Sequence, residues 1–443
     1  MLTNRCWSRM RKPSFTRFSK VRSVAHVGRV AARRLYRQYR ASCQKPILDD
    51  WARLAEGLRS DLRNAAPSSI GRLLALKRPP FFFRAEGSRD WVLRMSTQGS
   101  AVEREATSVL HHQFRFFGKD FDLRSARDDS EYAPLDWNID FFSSYRWEAD
   151  RVAAPGGPGA HGADIRVAWE LNRFHHFPLL GQAYWLALNG KTPGLDAECF
   201  AREFQNECLD WIAKNPARCG VNWACAMEVA IRAVNWIIGF HFFRLSPSIS
   251  AEFWTRYLTG ILDHGNFIWE NLENDQLFLT NHYLADLVGL FYIGINFPEL
   301  ADSRKWHEYA LAELMRESAV QVDRDGVQYE GSLNYHRFST ELFCSLLALC
   351  RISNVPVPPS FERRVEKMID FVRSYTKPDG NAPMIGDFDE SRLHYFSEYG
   401  SWSPTDHRYL LGIGGHLFGR SDFMEAAGPR IEEARWLAGG NLS

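Results

Sequence analysis

At 443 residues the chain is long enough for one large core or two ordinary ones, and 45% hydrophobic with 24% charged residues is a globular composition. Disordered, collagen-like, coiled-coil and low-complexity readings are excluded by those proportions. A net charge of +1 hides an asymmetry, because the first forty residues hold twelve Lys and Arg and no acid, which leaves the remainder at −11.

Residues 1–45 therefore read as a basic arm, partly helical or disordered. Such an arm can touch a membrane surface or nucleic acid, but a solvated tail is the simpler reading, and no nucleic-acid partner is expected. It lacks the apolar stretch of a secretory signal, and no run approaches the ~20 apolar residues of a membrane span. On these grounds the expected location is cytoplasmic. Eight cysteines, Cys6, Cys43, Cys199, Cys208, Cys219, Cys225, Cys344 and Cys350, match no CxxC pattern. Burial or a reducing compartment accounts for them, with no metal required.

Residues 46–160 form a mixed lead-in, with Phe81-Phe82-Phe83, an apolar stretch at 114–123, Trp137-Asn138-Ile139-Asp140, and a Pro/Gly loop at 153–159. Helices with irregular connections, packed on the helical region downstream, are expected there. From 161 to 400 come long apolar segments of helical period, each ended by Gly, Pro, Asn or Asp. Their spacing predicts helices over 166–188, 196–214, 223–243, 251–272, 281–295, 304–322, 337–350 and 361–375. Short connections make consecutive helices antiparallel neighbours. The segment 223–243 is apolar almost all round, whereas 196–214 carries a charged face, and that alternation suits an inner ring wrapped by an outer one. The expected fold is all-α, an incomplete (α/α) toroid of helical hairpins, ahead of a solenoid, for which no fixed repeat is found. Residues 401–443 are expected to be a linker.

Four clusters place polar groups inside apolar helical surroundings, where such groups need partners or a purpose. They are Trp169-Glu170-Leu171-Asn172-Arg173-Phe174-His175-His176, Asn222-Trp223 with Glu228 and Arg232, Thr280-Asn281-His282-Tyr283, and Tyr329-Glu330-Gly331-Ser332-Leu333-Asn334-Tyr335-His336-Arg337. Structural explanations stand beside functional ones. Glu228 and Arg232 are four apart and suit an intrahelical ion pair, as Glu170 and Arg173 do at three apart. Thr280 suits a helix cap, leaving Asn281 and His282 in a first turn whose free N–H groups favour an anion. Tyr335 beside His336 and Arg337 predicts a phenol whose pKa is lowered by neighbouring cations.

These strings resemble the toroid domain of the heparinase II/III family, which includes related alginate lyases. The likeness runs from about Trp137 to about Asp389. It passes through the WELNR string at 169–173, Val221-Asn222-Trp223 with Glu228 and Arg232, Asn281-His282, Tyr335-His336, and Pro378-Asp379-Gly380 leading to Ile385-Gly386-Asp387. The resemblance implies β-elimination on a uronic-acid polysaccharide; no cofactor and no metal are expected. Removing the C5 proton builds charge beside a carboxylate, so that carboxylate must be masked and the developing enolate stabilised. By similarity Asn281 with His282 does the masking and Tyr335 is the catalytic acid, or acid and base together. Glu170, Asn172, Arg173, His176, Asn222, Trp223, Tyr329, Glu330, His336, Arg337 and Asp387 are expected to line the substrate groove. Family members commonly continue into a β-sandwich that closes the cleft and adds a catalytic histidine, and no strand-rich stretch of that kind occurs in this sequence. A periplasmic location is the alternative that the resemblance brings. Two other functions remain open: a glycoside hydrolase using two of Asp387, Asp389, Glu330 and Glu228, and a non-catalytic polysaccharide-binding protein. The oligomeric state is not legible.

Overall fold

A computed structural model of the chain describes residues 50–87, 99–124, 132–149, 162–192, 194–274 and 279–437. The basic arm, the Pro/Gly loop at 153–159, Cys6 and Cys43 lie outside these residues. In chain order the helices are α1 (Asp50–Gly57), α2 (Pro67–Leu76), α3 (Gly99–Leu110), α4 (Ile165–Asn172), α5 (Phe177–Leu188), α6 (Ala197–Lys214), α7 (Ala226–Phe243) and α8 (Ala251–Glu270). They continue as α9 (Asn281–Asn296), α10 (Ser303–Gln321), α11 (Leu333–Ile352), α12 (Pro359–Tyr375), α13 (Arg408–Phe418), α14 (Ser421–Ala427) and α15 (Glu432–Leu437). Between α3 and α4 lie two antiparallel hairpins, β1 (Gln113–Phe116) with β2 (Lys119–Asp122) and β3 (Ile139–Asp140) with β4 (Tyr145–Arg146).

Hairpin pairing builds two rings. Helices α5, α7, α9, α11 and α13 pack on one another in sequence, and each packs on the helix that comes after it, α6, α8, α10, α12 or α14. Because every outer helix returns the chain, the five inner helices point the same way. The inner ones have no polar face to spare: every residue of α7 is buried, and α9 leaves only His282 and Ile295 partly open. By length and composition alone α7 would also cross a membrane, contrary to the expectation that no run comes near. Here it is wholly enclosed, and it carries Glu228, Arg232, Asn235 and His241. Close approach of inner helices needs small residues. A Cβ at Gly289 of α9 would meet Ala230 Cβ of α7 at 2.6 Å, and one at Gly181 of α5 would meet the Phe242 ring at 2.2 Å.

The segment expected as one helix over 166–188 is two. Pro178 has no N–H to give the carbonyl four residues back, and its ring would clash with that carbonyl. The chain therefore kinks through Phe174, at φ +56°, before α5 begins. Helix α7 starts later than expected, after a 3₁₀ turn at Val221–Trp223, and α11 starts earlier, capped by Ser332 Oγ accepting from the Tyr335 N–H at 3.2 Å. Residues expected as a linker beyond 401 instead supply α13 to α15, with α13 the last inner helix.

The irregular stretch before α13 is held by a chain of buried charges. Arg392 Nε donates to Glu341 Oε1 of α11 at 2.9 Å and its Nη2 to Glu433 Oε1 of α15 at 3.1 Å, all three side chains about 1% exposed. Glu341 also accepts from Tyr409 of α13 at 2.9 Å and from Arg337 at 3.3 Å. Removing one member leaves a dry, uncompensated charge, so Arg392→Leu is expected to destabilise the protein by about 3–5 kcal/mol. Chemical denaturation of the variant against the wild type measures this, and a loss below about 1 kcal/mol would contradict the network's role.

Candidate active site

The start of α9 and the start of α11 meet at one end of the inner ring. Thr280 caps α9, its Oγ1 accepting from the His282 N–H at 3.3 Å, which leaves the Asn281 N–H to donate outside the helix. That donor already holds a carboxylate. Glu330 accepts from the Asn281 N–H at 2.8 Å and from Asn281 Nδ2 at 3.1 Å on each of its oxygens, with Gln328 Nε2 adding a donor at 2.7 Å. His282 turns outward, with Nδ1 bonded to Glu273 Oε2 at 2.7 Å. Burial alone would lower its pKa, but the Glu273 bond and charge outweigh burial and raise it, so the ring favours the protonated form. Glu273 is itself anchored on the start of α7, accepting from the Ala226 N–H at 3.1 Å.

Tyr335 is the third residue of α11 and is half-buried. The turn before it is fastened to the later loop: Ser332 Oγ donates to the Asp387 carbonyl at 2.6 Å and the Leu333 N–H to Ile385 at 3.1 Å. Gly386 sits at φ +77°, with Gly331 and Ser332 where a Cβ would be. Contrary to expectation, the phenol's pKa is raised. Burial is the largest cause, then the carboxylates of Asp389, Asp387 and Glu330, with Arg166 opposing them. The neighbours expected to lower it face elsewhere. Buried His336 bonds the Met368 carbonyl at 3.1 Å and is pushed down to about 4, hence neutral. Arg337 donates to the Ser391 carbonyl at 2.5 Å and to Glu341.

A groove of three linked hollows lies to one side of Tyr335, and Asn281, His282 and Tyr335 line none of the three. One hollow of about 300 Å³ is lined by Arg166, Glu170, Arg173, Asp389 and Glu390, with the exposed rings of Phe117, Phe142 and Phe388 at its lip. A narrow passage of about 60 Å³ shares Phe117, Glu170 and Glu390 with it and reaches Arg115 and Tyr399. Beyond lies a larger hollow of about 600 Å³, between α3, the β1–β2 hairpin and residues 399–401, lined in part by Arg104 and Arg115.

Arg173 forms part of the groove floor. It donates to both oxygens of Glu228, at 2.7 and 2.8 Å, and also bonds Glu170 as the three-residue spacing suggested. The expected Glu228–Arg232 pair does not form. Arg232 turns inward to donate to His264 Nε2 at 2.8 Å and the Asn222 carbonyl at 2.9 Å, lying over the Trp211 ring. Burial pushes Glu170 up to about 7 against the pull of Arg173, while Arg173 and Ser391 hold Asp389 below the usual carboxylate range despite its burial.

Of the residues expected to line the groove, Glu170 and Arg173 do, and exposed Asp387 and half-buried Glu330 lie within electrostatic reach of Tyr335. Tyr329 is exposed, with its hydroxyl on the Leu279 carbonyl. The others brace the walls from inside. Asn172 donates to the Trp137 carbonyl and accepts from Trp211 Nε1, both within 2.7 Å, and His176 Nε2 is 2.6 Å from Glu207. Asn222 bonds the Trp137 carbonyl and Asn215, while Trp223 Nε1 donates to the Asn215 carbonyl at 3.2 Å. With His336 and Arg337, these four expose at most 4% of their surface. Arg166, Glu390 and the hairpin residues Arg115 and Phe117, which line the groove, and Glu273, which bonds His282, carried no sequence signal, since each takes its place through tertiary contacts alone.

The profile of the family described as "Heparinase II/III N-terminus" matches residues 89–408. A heparin-sulfate lyase of Bacteroides stercoris is 27% identical over 264 residues, 54% of this chain and 38% of that protein. One from Pedobacter heparinus is 26% identical over 248 residues, 54% of this chain and 36% of that protein. The chain thus matches well under half the length of either relative. Among solved structures, a crystal structure of heparinase III superposes with a TM-score of 0.55 at 16% identity, covering 85% of this chain and 54% of that one, a likeness of fold. With the profile spanning most of an all-α toroid that has its polar helix starts gathered at one end, the chain belongs to the heparinase II/III family.

Proposed function

We propose that the chain is a polysaccharide lyase that cleaves an acidic, uronate-containing polysaccharide by β-elimination. The observation that carries this reading is the carboxylate of Glu330 seated on the amide and N–H of Asn281 at the start of α9. A place that already holds one carboxylate, with an imidazole beside it whose pKa Glu273 raises, is chemically fit to hold the carboxylate of a sugar acid. Likeness to heparin-sulfate lyases supports the same substrate class. The rings of Phe117, Phe142 and Phe388 offer apolar faces on which sugars can stack.

In this reading the uronate shares or displaces Glu330 on Asn281, and His282 offsets its charge. That lowers the cost of the second negative charge that forms when the C5–H bond breaks. The C4–O4 bond then breaks as the C4=C5 double bond forms, and O4 takes a proton. Tyr335 suits that last step, because a phenol held protonated by burial and by nearby carboxylates is an acid at the outset. The C5 proton goes to a base across the sugar, for which we take the further catalytic residue, commonly a histidine, that family members contribute from a closing β-sandwich; where the proton and O4 lie on one side of the sugar, Tyr335 would serve as base and acid together.

A second reading has one observation in its favour. Glu170 and Asp389, in one groove, have pKa values pushed in opposite directions, as the acid and base of a glycoside hydrolase would. Product chemistry decides between them, since elimination leaves a UV-absorbing unsaturated end and hydrolysis does not. Release of saturated ends only, from heparan-type, hyaluronan-like and alginate-like substrates, would overturn the lyase reading.

Three outcomes are expected if elimination is observed. Tyr335→Phe lowers kcat by about 10²–10⁴-fold with binding retained, and unchanged turnover would remove Tyr335 from the mechanism. Asn281→Ala lowers kcat/KM by about 10²–10³-fold in steady-state assays, and an effect confined to KM would argue for binding alone. The raised pKa of His282 means that its cation persists above the usual imidazole range and is lost as pH rises through the raised value. The alkaline limb of kcat/KM is therefore expected to move to lower pH in Glu273→Gln, and a pH profile identical to wild type would refute the coupling.

A further inference from the structure

We propose that His112, Glu203 and Glu207 form a closed binding site for one divalent transition-metal ion, with His176 orienting Glu207 from behind. Helix α6 presents Glu203 and Glu207 four residues apart on its inner face, and His112 reaches them from just past the end of α3. His112 Nε2 lies 2.8 Å from Glu203 Oε1, and a ligand atom from each of the three lies within 4.8 Å of the others. Shifts of about an ångström would bring all three to the ~2.0–2.2 Å at which imidazole and carboxylate bind such ions.

Three features set this cluster apart from an ordinary buried ion pair. All four side chains are almost wholly enclosed, at 3% for His112, 1% for His176, 8% for Glu203 and 0% for Glu207. Glu207 Oε2 is taken by His176 Nε2 at 2.6 Å, while its Oε1, buried, has no hydrogen-bond partner among the described residues. Carboxylates that bind a metal are themselves held by hydrogen bonds, and His176 supplies such a bond to the far oxygen of Glu207. Burial lifts both carboxyls, Glu203 to about 7 and Glu207 to about 8, because two negative charges side by side in a dry interior are costly, and one divalent ion bound in place of their protons would neutralise both. The donor set has no sulfur, which favours zinc, manganese or iron(II) over copper(I).

The site is distinct from the groove but stands behind its wall. The Phe114 ring lies 5.2 Å from His176, and Tyr399 lies 6.4 Å from it on another side. Both rings line the hollow of about 600 Å³. An ion here would tie α3, α6 and the kink before α5 into one unit, a structural role independent of the lyase reading.

The test uses the full chain, stripped with chelator and titrated with Zn²⁺ by calorimetry and with Co²⁺ by visible spectroscopy. One equivalent is expected to bind, raising the thermal midpoint by several degrees, with a Co²⁺ spectrum free of thiolate charge transfer. His176→Gln is expected to weaken binding about 10–100-fold, Glu207→Gln at least as much, and Cys225→Ser not at all. That last variant matters because Cys225, Glu273 and His282 form another group with ligand atoms within 4.8 Å. No uptake by the folded wild type would overturn the proposal, as would a thiolate band or binding unchanged in Glu207→Gln. Should the variants fail to fold, the wild-type Co²⁺ spectrum decides alone.

Discussion

The guanidinium of Arg173 is the point through which the groove and the helical core are joined. It is drawn from water into contact with Glu228 of α7 and Glu170 of α4, and Asp389 of the later loop lies within its field. A desolvated cation of this kind is tolerable only if its carboxylates stay in place. The kink between α4 and α5, the start of α7 and the loop at 387–392 are therefore constrained together. The chain reaches the same groove from three distant stretches of sequence because one buried charge requires all three.

The same logic places the polar groups at the open end of the ring. Tyr335, Asn281, His282 and Glu228 all sit in the first turn of an inner helix. Outer helices carry the chain back, so consecutive inner helices begin at the same end, and residues far apart in sequence become neighbours. Loops then fix the details: Gly386 lies against Ser332 so closely that no side chain would fit, which pins Asp387 beside Tyr335.

Much of this could be read from the residues and some could not. Helices α6, α8, α9 and α12 fall close to where apolar period and capping place them, because Thr280, Asp196 and Ser250 are strong N-caps and the inner faces are unbroken. Helix α13 went unseen because Gly412, Gly414 and Gly415 argue against a helix, yet each marks where a neighbour presses close: the Arg430 carbonyl, Ile369 and Met424. The lowered pKa expected at Tyr335 failed for a directional reason. Successive helical residues are turned about 100° apart, so His336 and Arg337 face the core while the phenol faces carboxylates. Glu228 finds its partner 55 residues upstream rather than four residues on, a choice made by burial that no local spacing encodes.

At the other end of the inner ring, Phe81, Phe82 and Phe83 fill the space between the helix ends. Phe81 stacks on His241 at 3.7 Å, Phe82 meets Tyr292, and Phe83 packs on Trp185, Phe242 and Trp436. The ring is thereby a cup with a sealed bottom rather than a tube. For the polysaccharide proposed as substrate, this means lying across the open rim with both ends outside rather than threading the ring. Discrimination by length or by sugar sequence then falls to whatever stands along that rim, from Arg104 and Arg115 at one side to Arg166 at the other.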